Sequence, residues 1–294
     1  MFLLKKSFCY AYIYAVIILQ IILESLPISS SGHLKLLEII NQKFDIFFYF
    51  PLQNFGLNYE ILHLPSILVI FIFFFQDFIE IILITFKSLR NFLQVFAFIF
   101  ITNSITILFY LFHKFKILPE IPLSLGFFIT GIILFSLLFL IPRSRTQFGM
   151  TARRGIPLRY YFELISGSNE FKNAFILGIA QGTALFSGIS RFAIVFTTSR
   201  YLGYSPMQSF FVTFFIELPL LVAGVLKGFV CLYWEHNLAN LSNLDFLMCL
   251  TFILATIISY ECLGIMKKII EKNRIWMLSF YMLIPALISF LLGN

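Results

Sequence analysis

Charge is what this chain has least of. Asp, Glu, Lys and Arg together make up 12% of its 294 residues, against 60% hydrophobic, and the mean hydropathy is +0.94. So little polar surface cannot cover a globular domain, which excludes a soluble fold and predicts a polytopic membrane protein. Cysteine is scarce too. Cys9, Cys231, Cys249 and Cys262 stand apart in apolar segments with no C-x-x-C or Cys/His spacing, which argues against a zinc site or a disulfide framework. Lys5 and Lys6 precede an apolar run as in a signal peptide, but no small-x-small cleavage site follows, and the run is expected to be retained.

The few charges are unevenly placed. Most of the formal net charge of +7 sits in 143 to 173, where Arg143, Arg145, Arg153, Arg154, Arg159 and Lys172 face only Glu163 and Glu170. A short basic loop in a membrane protein is expected on the cytoplasmic side, with no nucleic-acid partner. Forty Phe read mainly as lipid-facing bulk.

Six apolar runs of spanning length lie near 61 to 84, 92 to 112, 121 to 141, 208 to 230, 246 to 265 and 275 to 292. Two further apolar regions, 8 to 40 and 174 to 203, are interrupted by Ser29-Ser30-Ser31-Gly32-His33 and by Ser187-Gly188-Ile189-Ser190-Arg191. Irregular backbone at membrane depth is tolerated where it is buried in protein or lines a wet cavity. Counting spans outward from an inside 143 to 173 loop, and requiring Lys267, Lys268, Lys272 and Arg274 inside, makes 174 to 203 enter and leave by one face. The expected fold is all-α: six transmembrane helices plus two re-entrant helical hairpins in an inverted-topology repeat. Residues 1 to 142 form the first repeat, 143 to 173 the cytoplasmic loop and 174 to 294 the second repeat. Such repeats bring two broken helices to one site near the midplane.

The run Glu24-Ser-Leu-Pro-Ile-Ser-Ser-Ser-Gly-His33 concentrates a carboxylate, three hydroxyls and an imidazole at the end of an apolar stretch. Such groups at membrane depth are costly unless paired or used. One Ser would suffice to cap a helix; three in a row read as a site. Gln20 lies one helical turn before Glu24, on the same side. The spacing Gly178-x-x-x-Gly182 predicts close helix packing. Glu217, in Phe-Ile-Glu-Leu-Pro219, is an intramembrane carboxylate expected to pair with Arg191 or Lys227. His113 and His236 read as interfacial residues.

Gln20-x-x-x-Glu24 followed by Leu-Pro-Ile-Ser-Ser-Ser-Gly-His33 resembles the first signature of bacterial undecaprenyl-diphosphate phosphatases of the bacitracin-resistance type. Ala180-Gln-Gly-Thr-Ala-Leu-Phe-Ser-Gly-Ile-Ser-Arg191, trailed by Leu202-Gly203-Tyr-Ser205, is similar to their second, and Leu64-Pro-Ser-Ile-Leu68 is a weaker third likeness. The resemblance implies a multi-pass protein of the bacterial inner membrane, its site facing the periplasm. Such a protein hydrolyses undecaprenyl diphosphate to the monophosphate carrier of cell-wall synthesis and confers bacitracin resistance. A homodimer is a candidate assembly.

Removing a phosphate from a diphosphate requires an in-line nucleophile, charge neutralisation and exclusion of water. Ser30 matches the family's candidate nucleophile, and Glu24 or His33 is positioned in sequence to take its proton. Arg191 suits a phosphate clamp, since its planar fork stays protonated. Glu24, assisted by Gln20, is alternatively the ligand of a divalent cation, magnesium first and calcium second. Ser29, Ser31, Gly32, Gly188 and Ser190 are candidates to contact substrate through tight turns whose N–H groups cradle phosphate.

The second signature departs from the family at Ser187, Phe192 and Val195, where Pro, Ser and Thr are expected. His63 and Pro65 replace a Gln and a Gly of the third likeness. Two other readings stay open at this point: a non-catalytic polyprenyl-phosphate binder or transporter on the same fold, and an ion-coupled carrier using Glu24 and Glu217.

Overall fold

The computed structural model describes residues 14–44, 61, 63–140, 169–234 and 246–293, and all regular structure among them is helical. Lys5, Lys6, Cys9, His236 and the basic stretch from Arg143 to Glu163 lie outside the described residues.

The chain opens on a broken helix, α1 (Tyr14–Glu24) and α2 (Ser30–Phe44), separated by a turn around Pro27. Then come α3 (His63–Phe73), α4 (Phe75–Thr85), α5 (Leu89–Lys114) and α6 (Leu123–Ser136), the last prolonged by a 3-10 turn at Leu137–Leu140. A second broken helix, α7 (Glu170–Thr183) and α8 (Arg191–Tyr201), precedes α9 (Pro206–Trp234), α10 (Phe246–Glu271) and α11 (Leu278–Leu291).

All six apolar runs are helical, yet they are not six equal spans. Among the described residues, four helices are long and apolar enough to cross a bilayer. A fifth requires α3 and α4 to count together across a 75° bend, and the last run, Ile275–Leu291, is shorter. No Pro or Gly stands at that bend. Phe74 there is 3% exposed and its ring packs against Phe73, Phe210, Phe211 and Phe214. The corner is thus seated on α9, the most enclosed of the four long helices, with 56% of its apolar window buried against 28–39% for the others.

Phenylalanine divides into two populations. Phe92, Phe96 and Phe100 form an exposed stacked ladder along α5, as expected of lipid-facing bulk. Phe74, Phe78, Phe192, Phe196, Phe210, Phe211, Phe214 and Phe215 instead form an aromatic core of stacked and edge-on rings. Edge-on and offset pairs add stabilisation beyond burial alone, so much of the Phe content is core.

Small residues set the close approaches. A Cβ on Gly178 would fall 2.8 Å from the Thr102 carbonyl oxygen, and one on Gly182 2.6 Å from the Phe109 ring. The Gly-x-x-x-Gly face of α7 therefore lies directly on α5. Threonines of α5 bridge the same seam: Thr102 Oγ1 donates to the Ala174 carbonyl at 3.2 Å and Thr106 Oγ1 to the Gly178 carbonyl at 3.3 Å. At the other broken helix, Ser259 of α10 donates to the Ile21 carbonyl at 3.2 Å and is hydrogen-bonded to Ser25. Ile17 and Ile21 pack there on Ala255. Each first arm is thus strapped by hydroxyls to one long helix.

Candidate active site

The second arms of both broken helices begin with the same device. Ser29 accepts the Gly32 N–H at 3.1 Å and so caps α2; Ser190 accepts the Ala193 N–H at 3.2 Å and caps α8. Each cap satisfies an N–H that the first helical turn leaves unpaired. The two starts meet. A Cβ on Gly32 would lie 2.8 Å from Gly188 Cα and 2.9 Å from the Phe127 ring. Gly188 has φ +86, a left-handed conformation suited to glycine, and its added Cβ would strike the Leu123 carbonyl and the Phe127 amide. Thr130 of α6 fixes this turn by donating to the Gly188 carbonyl at 2.9 Å and accepting the Ser190 N–H at 3.0 Å.

Four ionisable side chains gather beside these turns. The Glu24 carboxylate, at the end of α1, is 2.5 Å from His63 Nδ1 at the start of α3. Arg191, the first residue of α8, donates through Nη1 to Glu217 of α9 at 2.8 Å. Glu24 also interacts electrostatically with Arg191, and His63 with both Arg191 and Glu217. Two close pairs, Glu24–His63 and Arg191–Glu217, therefore lie within electrostatic reach of each other, and all four side chains are part-buried. The expected pairing of Glu217 is found, and its partner is Arg191.

Several polar atoms in this cluster have no hydrogen-bond partner among the described residues: Gln20 Oε1, Glu24 Oε2 and Arg191 Nε are all buried and unmatched. Buried polar groups are nearly always satisfied, so these two oxygens and this N–H are candidates to meet a ligand or water. Glutamine makes the same point by contrast. Gln181 of α7, fully buried, donates to the Ile216 carbonyl at 3.2 Å and accepts from Thr106 at 3.2 Å. It stands at the same distance before Ile189-Ser190 as Gln20 before Ile28-Ser29. One glutamine is committed to packing; the other keeps a free oxygen.

The remaining candidates fall as follows. Ser30 is the first residue of α2 and is partly exposed, and Ser31 is exposed with its hydroxyl 3.4 Å from that of Ser29. His33 is held by neighbours: Nδ1 lies 2.6 Å from the Ser29 carbonyl, Nε2 lies 3.0 Å from the Tyr281 hydroxyl, and the ring stacks on Tyr281 and meets Phe127 edge-on. Both of its nitrogens are engaged.

Phe192 and Val195, where hydroxyl residues were expected, are 3% and 1% exposed. Phe192 stacks on Phe196 and meets Phe210 and Phe214, so it faces the aromatic core. Leu202-Gly203-Tyr-Ser205 is structural: Gly203 has φ +96 at the end of α8, and Ser205 and Gln208 exchange backbone-to-side-chain hydrogen bonds at the start of α9.

His63 entered the sequence reading only as a departure from the third likeness, and the structure makes it the partner of Glu24. A signal existed. His63-Leu64-Pro65 and Glu217-Leu218-Pro219 are the same tripeptide pattern at the two places that supply counter-ions to the broken helices.

Comparison with known proteins places the chain in a family. Relatives named undecaprenyl-diphosphatase include proteins of Borrelia recurrentis (26% identical over 285 residues, 92% of this chain and 95% of that one) and Borrelia hermsii (27% over 287 residues, 93% and 95%). Another is from Methanosphaera stadtmanae (27% over 290 residues, 93% and 94%). Residues 13–288 match the family described as bacitracin resistance protein BacA, and the chain belongs to that family.

Proposed function

We infer that this protein is an undecaprenyl-diphosphate phosphatase, a multi-pass membrane hydrolase that releases inorganic phosphate and regenerates the lipid monophosphate for cell-wall synthesis. Family membership over nearly the whole chain and the printed activity of its relatives support the reaction. The observation that carries it to particular residues is that the two broken helices touch at Gly32 and Gly188, with the Glu24–His63 pair at the end of one's first arm and the Arg191–Glu217 pair at the start of the other's second arm.

In this reading Arg191 holds the terminal phosphate. Its guanidinium offers several donors in one plane, and its buried Nε has no partner among the described residues. Ser30, at the start of α2, attacks the terminal phosphorus as Glu24, beside the His63 ring, takes its proton. The bond to the bridging oxygen breaks and the lipid monophosphate leaves; water then hydrolyses the phosphoserine to release inorganic phosphate and restore the hydroxyl. Gly32 and Gly188 keep the two turns close enough for backbone N–H groups to face the same phosphate, with Ser29, Ser31 and Ser190 framing them. His33, tied to Ser29 and Tyr281, supports the turn that carries Ser30.

A divalent cation fits the donor chemistry. Gln20 Oε1 and Glu24 Oε2 are hard oxygen donors, buried and unpaired, and no cluster of three His, Cys, Asp or Glu suited to a metal occurs among the described residues. Two protein oxygens with the rest from phosphate and water is the way magnesium is ordinarily held. When bound, the ion would neutralise charge developing on phosphate oxygens.

Repetition of the serine caps, the hydroxyl straps and the X-Leu-Pro counter-ions in both halves supports an inverted repeat, with α1–α2 and α7–α8 as re-entrant hairpins. Phe192 faces the aromatic core rather than the Arg191–Glu217 pair, which favours the enzyme over a non-catalytic binder.

The test is phosphate release from undecaprenyl diphosphate by purified protein, wild type beside Glu24→Gln, with and without magnesium. Glu24-dependent release is expected. A folded protein that binds the lipid without releasing phosphate would refute the enzyme.

A further inference from the structure

Arg191 is not waiting empty-handed. Its Nη1 is bonded at 2.8 Å to a carboxylate oxygen of Glu217, while its Nε stays buried and unmatched among the described residues. A carboxylate and a phosphate make the same planar demand on a guanidinium, two acceptor oxygens against two N–H groups. Glu217 therefore sits where one phosphate oxygen would bind. We propose that Glu217 is an intramolecular stand-in for the substrate's terminal phosphate, which must be displaced from Arg191 for substrate to bind, and that it sets the affinity of the site for diphosphate.

Three further observations bear on this. Glu217 occupies the position that His63 occupies in the other X-Leu-Pro, so both site residues of the broken helices carry a resident counter-ion of opposite sign. The Arg191 side chain is 30% exposed and that of Glu217 13%, so the pair is reachable from outside and is not sealed structural packing. Glu217 also lies within electrostatic reach of His63, so a displaced carboxylate keeps an imidazole neighbour in the cluster. Exchange of ligands on Arg191 is then a local rearrangement that need not strand a buried charge.

The proposal rests on Arg191 being the phosphate ligand, and the experiment separates the two. Binding of inorganic pyrophosphate to detergent-purified protein is measured by calorimetry for wild type, Glu217→Gln, Glu217→Ala and Arg191→Gln, with KM and kcat for the lipid diphosphate alongside. Removing a competitor held by one charge-assisted hydrogen bond should tighten pyrophosphate binding and lower KM, each by about tenfold. Weaker or unchanged binding in folded Glu217 variants overturns the proposal: a residue that merely positions Arg191 would raise KM when lost, and a catalytic one would lower kcat alone. If neither variant folds, the wild-type infrared difference spectrum on adding pyrophosphate decides. A shifted carboxylate band supports displacement, and no carboxylate change refutes it. Unchanged pyrophosphate affinity in Arg191→Gln would instead overturn the phosphate-ligand assignment itself.

Discussion

Gly126→Ala tests whether the docking of the two broken helices sets the chemistry. Gly126 lies on α6 with no ionisable group, and its added Cβ would sit 2.0 Å from the Ser187 carbonyl oxygen and 2.9 Å from Gly188 Cα. Both obstacles are backbone, so no side chain can swing aside. A tolerable separation begins at about 3.0 Å, and the 187–188 turn must therefore retreat by about 1 Å. That turn leads within three residues to Arg191, and Thr130 ties it to Ser190. Misplacing a reacting group by about 1 Å costs on the order of 100-fold in rate, or about 2.7 kcal/mol of transition-state stabilisation. Overpacking should also remove about 1–3 kcal/mol of stability. The assay is phosphate release well below the melting temperature, with Gly264→Ala as control, since nothing lies within 4 Å of a Cβ at that position. A folded Gly126→Ala protein with wild-type kcat/KM would refute the idea that the seating of the 187–188 turn on α6 positions Arg191.

Serine substitutions should separate caps from chemistry. Ser29→Ala and Ser190→Ala each lose a cap bond and should cost about 1 kcal/mol in denaturant unfolding, whereas Ser30→Ala should lower turnover by orders of magnitude with the melting temperature unchanged. His63→Leu leaves the Glu24 carboxylate buried without its partner and should destabilise by about 3 kcal/mol. Most of that loss should vanish in the double variant with Glu24→Gln, and strict additivity in the unfolding cycle would contradict the pair. Excess chelator should abolish phosphate release if Gln20 and Glu24 hold the cation; unchanged rates would leave Glu24 acting as base alone.

Much of the site was legible because membrane depth makes polar residues conspicuous. Gln20, Glu24, the Ser29–Ser31 run and Arg191 stand out from apolar neighbours, and the structure gathers Glu24 and Arg191 in one cluster beside the turn that carries Ser30. His63 was harder to see, since a pairing across some forty residues leaves no local periodicity, and a lone His at the start of an apolar run reads as a boundary. The bend at Phe74 was invisible for a related reason. An apolar run has the same composition whether straight or folded, and the cause lies in α9, whose Phe210, Phe211 and Phe214 receive the corner. Phe192 adjoins Arg191 in sequence yet faces the aromatic core, since successive helix positions point about 100° apart.

The bent pair has a consequence for the bilayer. Two arms of 11 residues each rise about 16 Å apiece along their own axes. Joined at 75°, they cover about 21 Å with one arm upright, or about 26 Å with both equally tilted, against a hydrocarbon layer of about 30 Å. A crossing made by this segment is too short for the membrane it crosses. Such a mismatch is met by thinning of the bilayer, snorkelling of flanking residues or association of helices, so this segment is the part of the fold whose surroundings depend most on bilayer thickness.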